Sequence, residues 1–136
     1  MSEGNRRVIE EFRARGGKVG GPYEGGTLLL LTTTGARSGG SHTTPLVYLA
    51  DGDRFVVFGT KGGAPRNPDW YHNLLANPVA MVEVGTETFE ARATVATGEE
   101  RDRLFSRQKT LRPQVAEYEQ KTTRTIPVVV LERRVA

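Results

Sequence analysis

The sequence predicts an α+β protein built on a small closed or split β-barrel, with about six mostly antiparallel strands and flanking helices. Three observations lead there. The 136 residues give room for one core and not two. The strand patterns come as hairpins, with only two or three helices among them, so a doubly wound parallel sheet does not fit. Closing such a sheet also removes the exposed edges that it would otherwise present.

The elements follow in chain order. Residues 5–15 (NRRVIEEFRAR) read as a short helix with Val8, Ile9 and Phe12 on one face. Residues 1–16 thus form an N-terminal helix or extension, and 17–136 the single barrel domain. Residues 16–26 hold six glycines and a proline and read as a loop. Residues 27–33 (TLLLLTT) are a buried strand that runs into a turn broken by Gly35, Gly39 and Gly40. Residues 43–50 and 54–60 form a hairpin about Asp51, Gly52 and Asp53. A helix covers 67–77, with Asn67 as N-cap, Pro68 in the first position and Asp69 set against the helix dipole. Residues 79–84 and 87–95 make a second hairpin about Gly85. Glu99 and Glu100 open a helix that runs to about Thr110, a shorter helix ends near Lys121, and 126–132 (IPVVVLE) close the chain as a strand.

Composition excludes several functions. Hydrophobic residues at 37% and charged residues at 26% suit a soluble globular chain. There is no cysteine, hence no disulfide, thiolate nucleophile or iron–sulfur cluster. His42 and His72 are the only histidines, far apart and without a carboxylate cluster, so no metal site is expected. The longest apolar runs, Leu28–Leu31 and Val128–Leu131, are too short to span a bilayer, and the first residues lack the apolar stretch of a secretory signal. A cytoplasmic protein is expected. The acids Glu83, Glu87 and Glu90 spread over the later strands and argue against nucleic acid.

Charge placement is more telling than the net +3. Residues 32–46 and 59–68 carry Arg37, Lys61 and Arg66 and no acid, and both are rich in glycine. Such segments suit an anionic ligand. TTTGARSGG (32–40) reads either as a polar turn after a buried strand or as a backbone cradle for phosphate, helped by Arg37 and Ser38. Its spacing is neither a P-loop nor a nucleophile elbow. In GTKGGAPRNPDWYHNL (59–74), Lys61 and Arg66 flank two glycines just before a helix, and Trp70 and Tyr71 offer flat apolar surface. This is either a phosphate grip beside a ring-sized wall, or a core tryptophan near a solvated lysine. The stripe Val115, Tyr118 and Thr122 reads as core packing. Arg6, Arg7, Arg13 and Arg15 border the apolar face of the first helix, which would either touch a membrane surface weakly or cover an open end of the barrel. The short apolar face favours the cover.

LLLLTTTGARSGG (28–40), TPL (44–46), TKGGAPRNPDWYHNLLANP (60–78) and RTIPVVVLE (124–132), in this order and spacing, resemble the deazaflavin-dependent nitroreductase family from about Gly17 to Glu132. The resemblance implies a split barrel like those that bind flavins, and the deazaflavin coenzyme F420 as hydride carrier. By matching position it places Arg37, Ser38, Lys61 and, as a further anion contact, His42 on the phosphate-bearing side. It places Pro45, Leu46 and Val47 along the deazaflavin ring. Thr60, Lys61, Gly62, Gly63 and Ala64 would offer backbone N–H groups, and Asn67, Pro68, Trp70 and Tyr71 would build the adjoining wall, with Arg66 among the cofactor-binding residues. Tyr118 falls where the family has a substrate-side aromatic and is the implied catalytic residue. Arg112, Val115 and Lys121 stand where nitroimidazole-reducing members carry aromatics, which weighs against nitroimidazoles as acceptors.

The expected function is therefore hydride transfer from reduced F420 to a small oxidised acceptor such as a quinone, a nitro compound or an activated enone, by a monomer or homodimer. The alternatives are an FMN-dependent enzyme of the same fold and a non-catalytic carrier of an anionic cofactor.

Overall fold

Leu28–Thr34 forms strand β1, in which four consecutive leucines are buried. A strand alternates its faces, so an unbroken apolar run means that both faces are covered. Leu29 and Leu31 point into the main core, whereas Leu28 and Leu30 meet Ile9 and Phe12 of the N-terminal helix α1 (Glu3–Ala14). The structure, a computed structural model, describes residues 3–20 and 27–134. The part of the expected loop at 21–26 lies outside the described residues.

The remaining elements are β2 (Ser41–Val47), β3 (Leu49–Asp51), β4 (Arg54–Phe58), α2 (Asp69–Ala76), β5 (Val79–Val84), β6 (Glu87–Val95), α3 (Gly98–Leu111), α4 (Gln114–Gln120) and β7 (Val128–Arg133). The seven strands pair antiparallel in the order β2-β1-β5-β6-β7-β4-β3. The two outermost strands are consecutive in the chain, with only Tyr48 between them. The sheet must therefore curl until its ends nearly meet, which makes the split barrel. Tyr48 is pinned at that corner: its N–H donates to the Thr27 carbonyl at 3.0 Å, and the Thr27 hydroxyl donates to its carbonyl at 2.6 Å.

This corner corrects one expectation. Residues 43–50 are not one arm of a hairpin. Their first part pairs with β1, Leu30 opposite Pro45, and only β3 pairs with β4. A sequence pattern shows that a segment is extended but not where it changes partner. The second hairpin forms as expected, with Val84 opposite Glu87 at its turn.

The inner face of the curled sheet holds Leu29, Leu31, Val57, Val82, Phe89, Ala91, Val129 and Leu131, and α2 adds Trp70 and Leu74. On the outer face, Val56, Phe58, Val128 and Val130 are covered by Leu104 and Phe105 of α3 and Val115 of α4. Phe12 and Ile9 are 1% and 5% exposed, so the apolar face of α1 is spent on covering β1. That burial contributes roughly 2–3 kcal/mol per side chain and leaves no apolar face for a membrane surface. Among the described residues no helix is long and apolar enough to cross a membrane.

Asp51, expected as a plain turn residue, anchors α3 to the β3–β4 turn. It accepts from Arg103 at 3.2 and 3.3 Å, from Arg107 at 3.3 Å and from Arg54. The Arg103 and Arg54 guanidinium groups hold its carboxyl down at about 2, from an ordinary 3.8. A lowered folded-state value means that the stabilisation is complete above about pH 4 and is lost as the pH falls through about 2. The stability gap between wild type and Asp51→Asn, measured by urea unfolding, should be widest at neutral pH and close between pH 4 and 2. A gap independent of pH would show that the arginines do not hold the carboxylate.

Candidate functional site

The loop after β1 closes on itself. Gly35 N–H donates to the Gly40 carbonyl at 2.7 Å, Gly39 N–H to Gly35 at 3.0 Å, and Gly40 N–H to Ser38 Oγ at 3.1 Å. Ala36 N–H donates to Asn73 Oδ1 of α2 at 3.0 Å. The amides of these four residues are thus spent inside the protein, because a folded loop must satisfy its own N–H groups. The backbone cradle expected over 32–40 does not form from them, and the side chains of Arg37 and Ser38 carry the loop's share of the site. Gly35 leaves room for its neighbours: a Cβ there would stand 2.6 Å from Ser38 Oγ and 2.8 Å from His42 Nε2, and both side chains would have to move.

The second loop contains the tight turn Lys61–Gly63. Gly63 N–H donates to the Thr60 carbonyl at 2.9 Å and Ala64 N–H to Lys61 at 3.1 Å, so these two amides are also occupied. Gly63 has φ +82°, and a Cβ on it would lie 2.9 Å from the Tyr118 carbonyl oxygen. Only glycine lets α4 pack this close.

Between the two loops lies a cleft of about 850 Å³. Arg37, Ser38, His42, Lys61, Arg66, Asn67 and Trp70 all line it, so seven residues singled out from sequence converge from two separate stretches, 32–46 and 59–74. Thr33, Ser41, Thr43 and Thr44 add hydroxyls, and Asp69 is the one carboxylate on its wall. His72 of α2 also borders it. Three permanent cations face one carboxylate, an arrangement that attracts an anion.

Other expected site residues stand elsewhere. Pro45 and Val47 point one way from β2 and Leu46 the other, because side chains alternate along a strand. Leu46 joins the inner core, while Val47 packs beside α1. They do not form one wall along a ring. Trp70 borders the cleft, but Tyr71, about 100° further round the helix, lines a separate apolar pocket with Leu74, Pro78 and Val129. Pro68, not Asn67, is the N-cap of α2, and no side chain caps it. Asn67 is engaged otherwise, its Oδ1 accepting from Arg124 Nη1 at 2.8 Å. Thr60, Gly62, Gly63, Ala64 and Tyr118 do not line the cleft. Tyr118 is half-buried on α4, behind the turn.

Two residues that hold the site together escape sequence reading. Asn73 is 8% exposed and joins the loops' supports: its Nδ2 donates to Thr33 Oγ1 at 3.1 Å while its Oδ1 holds Ala36. Arg124 donates to the carbonyls of Gly59, Thr60 and Ala64. A polar residue amid the apolar positions of a helix was a signal for Asn73. Arg124 stands just before the expected closing strand and opens the RTIPVVVLE block, but no sequence pattern marked it for a role in the site. Asn73→Ala should cost about 1–3 kcal/mol, since Thr33 and Ala36 lose their partner. Urea unfolding reads that loss, and faster hydrogen exchange at the Ala36 amide should accompany it.

A family model described as F420H(2)-dependent quinone reductase matches residues 4–133. An F420H(2)-dependent quinone reductase of Mycobacterium tuberculosis is 39% identical over 127 residues, 90% of this chain and 85% of that protein. A solved F420-H2 dependent reductase is 36% identical with a TM-score of 0.71, over 78% of this chain and 94% of that one. A second solved structure, described only as a domain-swapped dimer, is 34% identical with a TM-score of 0.74, over 93% of this chain and 92% of its own.

Proposed function

The chain belongs to the F420H(2)-dependent quinone reductase family, a family of oxidoreductases, and we propose that it binds reduced F420 in the cleft between its two basic loops and reduces a quinone-class acceptor. One observation carries the reading: Arg37, Lys61 and Arg66, which hold the whole net charge of two acid-free segments, meet around one cavity. Its donor set fits a phosphate-bearing cofactor, and its volume lies within the usual range for such sites. The matching family model, the mycobacterial relative and the first solved structure are described as F420-dependent, so FMN is not carried forward. The bound deazaflavin supplies the hydride; the protein supplies binding, orientation and a site sheltered from water.

In this reading the two loops divide the work. Arg37 and Lys61 balance the anionic groups from opposite sides, with Ser38 and His42 as further polar contacts and Arg66 at the rim. Buried Trp70 gives the cleft its apolar floor. The apolar residues of β2 support the cleft from behind rather than forming a flat wall. Tyr118, whose backbone packs against Gly63 beside the cleft and not in it, stays the candidate on the acceptor side by the family resemblance alone: its hydroxyl would donate to an acceptor oxygen as negative charge develops there.

Fluorescence titration with F420, followed by multiple turnover with a soluble quinone, tests the function. Binding without turnover would leave a carrier, and equal or tighter FMN binding would overturn the cofactor assignment. Sedimentation in the same buffer separates monomer from homodimer.

Arg37→Ala and Lys61→Ala should each weaken F420 binding by roughly 1.5–3 kcal/mol, the scale of a charge-assisted hydrogen bond. Wild-type affinity should fall with added salt. If both variants bind like wild type at low salt, the anion grip lies elsewhere.

Tyr118→Phe should lower turnover about ten- to hundredfold, or roughly 1.4–2.7 kcal/mol of transition-state stabilisation, with F420 affinity nearly unchanged. Steady-state kinetics at saturating reduced cofactor measures this. Wild-type turnover would leave Tyr118 as packing only.

A further inference from the structure

Lys61 has φ +45°, and it is the only residue other than glycine with a positive φ among the described residues. A lysine there sets its Cβ against the neighbouring carbonyl, a clash that glycine avoids. With Gly62 at φ +62° it forms the centre of a turn closed by the Gly63 N–H bond to Thr60, which has the backbone signature of a type I′ turn. Asn, Asp or Gly usually fills that position. Strain of this kind persists only where the surroundings over-determine the backbone.

Two groups bear on this turn: α4, which packs on Gly63, and Arg124, which brackets it with hydrogen bonds. Its Nε donates to the Ala64 carbonyl at 2.9 Å, its Nη1 to the Gly59 carbonyl at 2.9 Å and to Asn67 Oδ1 at 2.8 Å, and its Nη2 to the Thr60 carbonyl at 2.8 Å. Four of a guanidinium's five N–H directions are thus used on residues just before and just after the strained turn. None of these acceptors is a carboxylate. The planar fork spans acceptors that a point-like ammonium cannot reach together. Burial pushes the Arg124 pKa down from its ordinary value, in keeping with a cation held by carbonyl dipoles rather than by a counter-ion.

We propose that Arg124 is a positioning residue, whose fork grips both ends of the 59–64 loop and thereby holds Lys61 in its left-handed backbone conformation on the wall of the cleft. Arg124 need not touch a ligand to act; it sets where the lysine charge stands. The consequence for cofactor binding rests on the function proposed above. The mechanical link between Arg124 and Lys61 does not.

The test is a cycle of Lys61→Gly and Arg124→Lys. In wild type, Lys61→Gly should relieve the strain and raise Tm by about 3–5 °C. In Arg124→Lys the loop relaxes, and the same change should give no rise. No rise in wild type, or equal rises in both backgrounds, overturns the link. Should Arg124→Lys not fold, Asn67→Ala removes one acceptor and should shrink the rise; an undiminished rise overturns the link. F420 titration supplies the second readout. Arg124→Lys should weaken binding about tenfold, and Lys61→Ala should then cost much less than it does in wild type. Wild-type affinity in Arg124→Lys overturns the positioning role even if its Tm falls. If the wild-type protein binds no F420, the proposed function fails alone, and the thermal cycle still decides whether Arg124 holds Lys61.

Discussion

Tyr48 is the corner on which the molecule turns. The strands before and after it are the two ends of the sheet, so the chain connectivity itself bends seven strands into a barrel. Both bonds to Thr27 hold that corner in place. Curling gives the sheet an inner face and an outer face, and both must be covered. The inner face fills with its own side chains and with Trp70 and Leu74 of α2, while the outer face takes α1 on one side and α3 with α4 on the other. The all-leucine stretch of β1 is the direct record of this double coverage.

The same curvature brings the loop after β1 beside the loop after β4. Each loop is tied to the body by a polar side chain that satisfies its backbone groups, besides its own turns: Asn73 for the first loop and Arg124 for the second. A loop fixed in this way keeps its charged side chains outward, because its amides and carbonyls already have partners. Arg37, Lys61 and Arg66 consequently face one cleft and not the bulk solvent at three unrelated places. The Asp51 cluster shows the contrasting use of arginine, where the carboxylate neutralises its partners and the group ties α3 to the sheet.

The helices, the cations lining the cleft and most of the strands could be read from residue order, because periodicity, turn residues and charge are local properties. The exception is the expected strand over 43–50, which is two strands, so that the sheet has seven and not about six. The hairpin about Gly85, the two basic glycine-rich segments and the family resemblance needed nothing further. Partner choice was not local. The change of partner at Tyr48 follows from how the sheet closes. The separation of Trp70 from Tyr71 and the split of Pro45 and Val47 from Leu46 follow instead from helix and strand periodicity, and only which side became the cleft and which the core was set by the fold. The occupied amides of both loops belong to the same class, since a glycine-rich run shows freedom to turn but not which groups its turns consume. Arg124 lies sixty residues from Ala64 in the chain and a hydrogen bond away in space. The sequence by itself determined which residues could bear charge and which must be buried; only the tertiary structure decided which backbone groups they would hold, because hydrogen-bond partners across a closed barrel are set by its curvature and not by spacing along the chain.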